Sequence, residues 1–338
     1  AVVLASGGGA GMFGRTDNPA GTTGDGLAMA YRAGAKLIDL ECVSFQYPEE
    51  KLERLLAAGG APPEDFLDAG TAHYFLGGVA IDSATATSVD GLFAAGECAG
   101  GVFGAARLGG AALAEAIVFG ALAGERAAAH ARTAGASPEP DIETVQAVAR
   151  DCLTRSPENV GKARRTLSRI LWECAGPVKT EASLLQAEKR LADLASGDHT
   201  AVDTVPENLR ECFELDGMLT LAPLLCQASR MRPETRGCFW RADHPEPDNA
   251  DWLRNIVVRR RGDEPEWTVR PVVMTRLTDP PASSHRRRLL RLSVEPVPNG
   301  SQTPSGSRGR RQLPETADRC RALPVHPDQG RAMRTVSA

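Results

Sequence analysis

Leu4-Ala5-Ser6-Gly7-Gly8-Gly9-Ala10-Gly11-Met12-Phe13-Gly14, read with the Arg15-Thr16-Asp17-Asn18-Pro19 that follows it, decides the fold of this chain. The run Ala1–Ala5 is short, apolar and closed by glycines, so it reads as a strand. Gly9, Gly11 and Gly14 have the spacing that lets a backbone approach a pyrophosphate at a helix N-terminus. The helix that this chemistry needs does not follow. Arg15 to Gly24 is rich in turn formers, and the first helical stretch runs from about Asp25 to Ala35. The glycines therefore read as a loop that leaves a strand beside a ligand or a close backbone crossing, with the first turn of a dinucleotide fold as the alternative.

Outward from that loop the pattern changes three times. Up to about residue 125, short β-rich runs alternate with glycine-rich turns and alanine-rich helices, which is α/β grammar. From about Asp141 to Arg232 the apolar residues fall at helical spacing and predict a small helical bundle. Val160, Ala163, Leu167, Ile170, Leu171 and Cys174 share one face; Leu184, Leu185, Leu191 and Leu194 follow. A loop from His244 to Asn249 precedes two expected strands, Trp252–Val258 and Trp267–Met274, joined as a hairpin across Arg261-Gly262-Asp263. No aromatic residue follows Trp267, and the basic cluster from His285 to Arg291 has no amphipathic partner. A disordered tail is expected there, with an RNA-binding arm or a frame-shifted stretch as alternatives. The expected divisions are 1–135, 140–232, 233–275 and 276–338, with a short insert at about 49–70.

Composition narrows the function classes. The 338 residues are 42% apolar, enough for cores of their own, and a formal net charge of −4 gives no basic footprint for nucleic acid. Eight cysteines, at 42, 98, 152, 174, 212, 226, 238 and 320, form no CxxC pair and no zinc spacing, so reduced thiols in a cytoplasmic protein and no metal site are expected. No apolar run reaches the roughly 20 residues of a bilayer span. The chain opens without Met inside a strand, so a fragment or a mis-started reading frame is expected.

Three groups carry chemistry. Gly91-Leu92-Phe93-Ala94-Ala95-Gly96-Glu97 reads as a buried strand ending in an acid, which suits a carboxylate accepting from a polyol hydroxyl, a surface loop acid being the alternative. Gly109-Gly110 opens a helix from Ala111 to about Ala131 whose apolar residues cover nearly all faces. A buried helix start of this kind stabilises negative charge. Arg107, among glycines before that helix, suits a carboxylate ligand or a structural ion pair, and His73 beside Tyr74 reads as a ligand or a satisfied core imidazole.

Together, Leu4 to Gly11, Thr16 to Pro19, Thr23 to Ala35, His73 to Gly78, Thr87 to Glu97 and Gly104 to Gly110 resemble the flavoprotein subunits of succinate dehydrogenase and fumarate reductase, and their relative L-aspartate oxidase. The likeness returns weakly in Ile170-Leu171-Trp172 and clearly in Glu234-Thr235-Arg236-Gly237, Arg241, Asp243 and Trp252. It implies an α/β fold with a partial, Rossmann-like FAD-binding domain, and hydride transfer between a C4 dicarboxylate and non-covalent FAD. It implies Ser6 and Gly7 near the adenosine end, Asp25 and Glu97 binding FAD, and the backbone of Ala112 and Leu113 facing the isoalloxazine. His73 and Arg107 match the family's substrate-binding His and Arg. An iron–sulfur electron-transfer subunit is the implied partner, with the chain cytoplasmic or peripheral on the inner membrane through such subunits.

The chain departs from that pattern in four places. The family's Asn-Ser at the helix start is Ala111-Ala112 here, which removes one hydroxyl hydrogen bond, about 1 kcal/mol. The substrate-facing His of the Phe-His-Pro motif is Gln46. Only 24 residues separate Pro48 from His73, where the family carries a capping domain whose Arg delivers the proton, so no catalytic residue is assigned. The resemblance also places the glycine-rich turn that binds the FAD pyrophosphate ahead of the Ala1 strand, so an incomplete FAD site is expected in this stretch. A non-catalytic remnant of the fold and an L-aspartate oxidase-like enzyme are the alternatives to a dicarboxylate oxidoreductase.

Overall fold

The computed structural model describes residues 1–47, 70–135, 141–153, 157–197 and 209–273, all within the first of two units, Ala1–Glu295. The insert expected at about 49–70, except Gly70, and the tail expected at 276–338 lie outside the described residues.

The opening run forms β1 (Val2–Leu4), paired parallel with β6 (Leu92–Ala94) in the register Val2↔Leu92 to Leu4↔Ala94. The glycine loop after β1 makes one 3-10 turn, Ala10–Met12, and the first α-helix is α1 (Asp25–Arg32). The fingerprint spacing thus lacks its helix, as the turn-rich sequence requires. Gly24 enters α1 at φ +79°, and Gly34 at φ +86° follows its end, a conformation glycine adopts without steric cost.

A five-stranded sheet draws on both ends of the chain. Its order is β7 (Ala99–Gly100), β5 (Gly78–Ala80), β2 (Leu37–Ile38), β8 (Arg254–Arg261) and β9 (Glu264–Pro271). The predicted hairpin is present, but its strands run up to Gly262-Asp263, with Gly262 at φ +63°. A two-residue turn with glycine at positive φ in its first position matches strand twist and lets the ladder continue to the tip. The hairpin docks through Leu37↔Val258 and Ile38↔Val257, so the C-terminal strands extend a sheet begun near residue 37. A separate ribbon pairs β3 (Val43–Gln46) with β4 (Thr71–Phe75).

The helices after α1 are α2 (Ala111–Thr133), α3 (Ile142–Leu153), α4 (Pro157–Ala175), α5 (Glu181–Ala195) and α6 (Leu209–Met231). On α4 all six residues of the predicted face are buried, and on α5 Leu184 and Leu191 are buried. Leu185 is exposed instead, because the next residue along a helix stands about 100° further round. Thr180 starts α5 with a capping box: its hydroxyl accepts from the Ser183 N–H at 3.1 Å, and Ser183 Oγ accepts from the Thr180 N–H at 3.0 Å. Helix α6 is apolar on nearly all faces and packs against α1, α4 and α5.

Helix α2 corrects an expectation. Its span matches, yet its start is not buried: Leu113, Ile117 and Val118 are 69%, 63% and 61% exposed, and only Glu115, Ala123 and Ala127 are buried. An apolar composition on every face does not say which faces find a partner; β6 and the turn after it cover one side only.

Candidate functional site

His73 owes its position to an irregularity. On the β3–β4 ribbon Ser44 pairs with Tyr74 and Phe45 with Ala72, so His73 is the extra, unpaired residue of a β-bulge. A bulge re-aims the side chain it carries. The loop after the 3-10 turn holds this one: Asp17 Oδ2 lies 2.7 Å from His73 Nδ1, and Asn18 Nδ2 donates to the His73 carbonyl at 2.7 Å. With Nδ1 committed to Asp17, Nε2 is the ring atom left for a ligand. Gln46 ends β3 exposed, paired with Thr71 rather than with His73.

Arg107 lies with its guanidinium 4.3 Å from the Tyr74 ring centroid, a cation–π stack that fixes the plane of the fork. Its Nη1 makes one long bond, 3.4 Å, to the Leu108 carbonyl, and its Nε is buried without a hydrogen-bond partner. No acid pairs with it among the described residues, so the ion-pair alternative is absent there.

Glu97 follows β6 in a second 3-10 turn and accepts from the Phe75 N–H at 2.9 Å. A Cβ on Gly8 would collide with its carboxylate, which is why the loop after β1 is bare at that point. Burial pushes the Glu97 carboxyl above its usual range, against the pull of the Phe75 N–H, His73 and Arg107, so His73, Glu97 and Arg107 share one electrostatic neighbourhood. Glu115, one turn into α2, accepts from the Gly96 N–H at 3.2 Å and leaves Oε2 buried and unpaired. An acid in an alanine-rich helix was the only sequence signal for Glu115.

Ser6 and Asp25 sit at the first turn of α1. Ser6 rests its hydroxyl on Gly26 of α1. Asp25 accepts from the Thr23 hydroxyl at 2.6 Å in the first turn of α1. Ala112 packs against the small buried cluster of Cys42, Tyr74 and Leu76, whereas Leu113 faces outward. Among the described residues, nothing lies within 4 Å of where a Cβ would stand on Gly7, Gly104, Gly109 or Gly110. Open space beside glycine backbone, a helix start, and two orphaned buried atoms, Glu115 Oε2 and Arg107 Nε, fit a large planar ligand with hydrogen-bonding edges. FAD has that chemistry, and these residues fit its flavin portion. Among the described residues no group of three His, Cys, Asp or Glu side chains is placed to hold a metal, and no helix is long and apolar enough to cross a membrane.

A second polar cluster was not foreseen as a unit. Arg232, after α6, donates from Nε to Glu41 at 2.8 Å and from Nη1 to Glu234 at 2.9 Å, all three buried. Glu234 also receives a two-pronged contact from Arg236, both bonds 2.8 Å. Asp39, at φ +52°, accepts from Asn255 at 2.6 Å and the Ile256 N–H at 3.0 Å. Three acids face two arginines in this cluster. Burial, with Asp39 beside it, raises the Glu41 carboxyl to about 7 against the pull of Arg232, and its Oε2 has no partner. Nearby, burial lowers Lys179 to about 8; its ammonium lies 4.7 Å from the Phe239 ring centroid. The Glu-Thr-Arg-Gly stretch is therefore structural: it bolts the C-terminal loop to the turn before β3.

The fold is that of FAD-binding flavoproteins. Residues 65–113 match the FAD binding domain profile, and residues 164–286 match the fumarate reductase flavoprotein C-terminal profile. Among curated proteins, a fumarate reductase (CoM/CoB) polypeptide of Methanothermobacter marburgensis is 30% identical over 77% of this chain and 63% of its own length. L-aspartate oxidase of Streptomyces coelicolor is 31% identical over 78% of this chain and 60% of its own. Among solved structures, a quinol fumarate reductase from E. coli matches with a TM-score of 0.71 at 24% identity, over 83% of this chain and 67% of that one. The chain is thus similar to the flavoproteins of fumarate reductase and succinate dehydrogenase and to L-aspartate oxidase. It spans less than two thirds of the length of these two curated relatives.

Proposed function

We propose that the chain is an FAD-dependent oxidoreductase of the fumarate reductase and succinate dehydrogenase type, acting on a C4 dicarboxylate and handing electrons to an iron–sulfur subunit. The observation that carries it is the pairing of a bulge-directed His73 with a stacked Arg107 whose Nε lacks a partner, beside the glycine-lined space at the start of α2. Ser6, Gly7, Asp25, Glu97 and the backbone at Ala112 and Leu113 would hold FAD. When bound, FAD supplies hydride transfer to or from the substrate carbon.

The protein's own residues orient the substrate. Arg107 presents a planar fork to one carboxylate, and Tyr74 beneath it keeps the fork from turning away. His73 Nε2 meets the same ligand while Asp17 holds the ring from behind. Gln46, uncharged and exposed, adds at most a neutral hydrogen bond. None of the described residues stands as a proton donor over that position. A positioned acid contributes roughly 10² to 10⁴-fold, so turnover through the described residues alone is expected to be slow. A flavin-binding scaffold without turnover is therefore the second reading, favoured by the exposed apolar face of α2.

Two measurements test these readings. Flavin fluorescence titration is expected to give a dissociation constant in the micromolar range or weaker, on the order of −8 kcal/mol or less favourable; no uptake at all would refute the flavin site. Fumarate reduction by the FAD-loaded chain with a reduced viologen is expected to stay below about 1 s⁻¹, the low end of typical enzymes. Faster turnover, lost in Arg107→Ala, would refute the scaffold reading and call for a proton donor elsewhere in the chain.

A further inference from the structure

A cleft of about 630 Å³ opens between the loop Gly11–Ala20 and one face of α4. None of His73, Glu97, Arg107 or the start of α2 lines it; with the His73 site it shares only the loop, through Thr16. Gly161, Arg165, Ser168, Arg169 and Trp172 of α4 line one wall, at the spacing of a single helical face. Arg15 comes from the facing loop, with its guanidinium 5.6 Å from the Trp172 ring centroid. Trp172 is itself held edge-on by Phe45, ring centroids 6.1 Å apart, so the aromatic support under Arg15 is fixed from behind.

Among the described residues, four arginines, Arg15, Arg164, Arg165 and Arg169, line it beside two acids, Glu173 and Glu211. Arg164 is committed to the buried Glu214, 2.7 Å away. Glu173 turns to Arg190 at 2.8 Å and leaves Arg169 at 3.9 Å, beyond hydrogen-bond length. Arg165 has no ion pair among the described residues. Arg165 and Arg169 are like charges one helical turn apart, an arrangement that costs stability until something anionic bridges them. A cavity of this size suits a small molecule, and guanidinium forks suit carboxylate or phosphate oxygens.

We propose that this cleft binds a small organic polyanion, carrying two or more carboxylate or phosphate groups, between Arg165 and Arg169 of α4 and Arg15 of the opposite loop. Arg169 and Arg165 grip from one wall and Arg15 from the other. The site is separate from the dicarboxylate position at His73 and Arg107, and stands or falls independently of it.

Isothermal titration of the full chain with citrate and with pyrophosphate, at low and at physiological salt, tests the proposal. At low salt one or both should bind with a dissociation constant of about 1 mM or tighter, weakening as salt screens the arginines. The double variant Arg165→Gln, Arg169→Gln keeps most of each exposed stem, so the fold is preserved, and should weaken binding at least about tenfold. Arg107→Ala should leave it unchanged. Preference for citrate would assign the site to polycarboxylates, and preference for pyrophosphate to phosphorylated ligands. No binding of either, binding unchanged in the double variant, or binding lost in Arg107→Ala would overturn the proposal.

Discussion

Two polar regions of this molecule are built on opposite principles. Around Arg232 and Arg241 nearly every charge is answered: Arg241 forks onto Asp243 with two bonds of 2.8 Å and donates to the Ser229 carbonyl at 2.9 Å, while Arg232 joins Glu41, Glu234 and two further carbonyls. Around Arg107 and the start of α2 the reverse holds, with buried atoms unpaired, glycines facing empty space, and apolar side chains turned outward. The first region is finished by folding and the second is left for something else to finish. Desolvated charges without partners are costly, so a fold keeps them only where a ligand or a neighbouring surface completes the set.

Breaking the finished region should produce the largest effect. Arg232→Ala leaves Glu41 and Glu234 buried without their shared partner and is expected to cost about 3–5 kcal/mol in urea unfolding. A loss under about 1 kcal/mol would mean that the cluster is solvated after all, and the contrast between the regions would fail.

The same cluster predicts a pH dependence. With Glu41 raised to about 7 from its ordinary 4.5, the folded chain holds a proton that the unfolded chain has released, so stability falls as pH climbs through that window. Unfolding midpoints followed from acid to alkaline conditions should show this slope, and Glu41→Gln should flatten it. A stability that rises over the window would reverse the assignment.

A smaller effect probes the helical part. Thr180→Ala removes one half of the capping box on α5 and should cost about 1 kcal/mol, read from the thermal midpoint. The smallest effect is expected at the unfinished region. Leu113→Ser on the open face of α2 should change stability by less than about 0.5 kcal/mol, as a surface substitution does. A cost of about 2 kcal/mol would show that Leu113 is covered in solution.

Much of the helical part was legible, because burial on α4 follows a 3.6-residue period written directly in Val160, Ala163, Leu167 and Leu171. The glycine loop was legible too, through the turn formers that forbid a helix before Asp25. The site was legible as residue types in motifs but not as geometry. Nothing in His73-Tyr74 announces a bulge, since a bulge exists only relative to the partner strand, and that strand begins 30 residues earlier at Val43. Helix α2 was misjudged for a related reason: its composition permits burial on every side, and only its neighbours choose the side.

The sequence alone determined what repeats locally: strand and turn chemistry, the helical faces, the hairpin at Gly262, and the motifs that tie the chain to its flavoprotein relatives. Tertiary structure alone decided which charges meet. Glu41 and Arg232 are 191 positions apart, and Arg15 joins Arg165 and Arg169 from the far side of a cleft. Periodicity encodes burial because water acts on each residue separately, whereas a buried charge is stabilised by whichever partner folding brings within a few ångströms, and no local spacing specifies that partner.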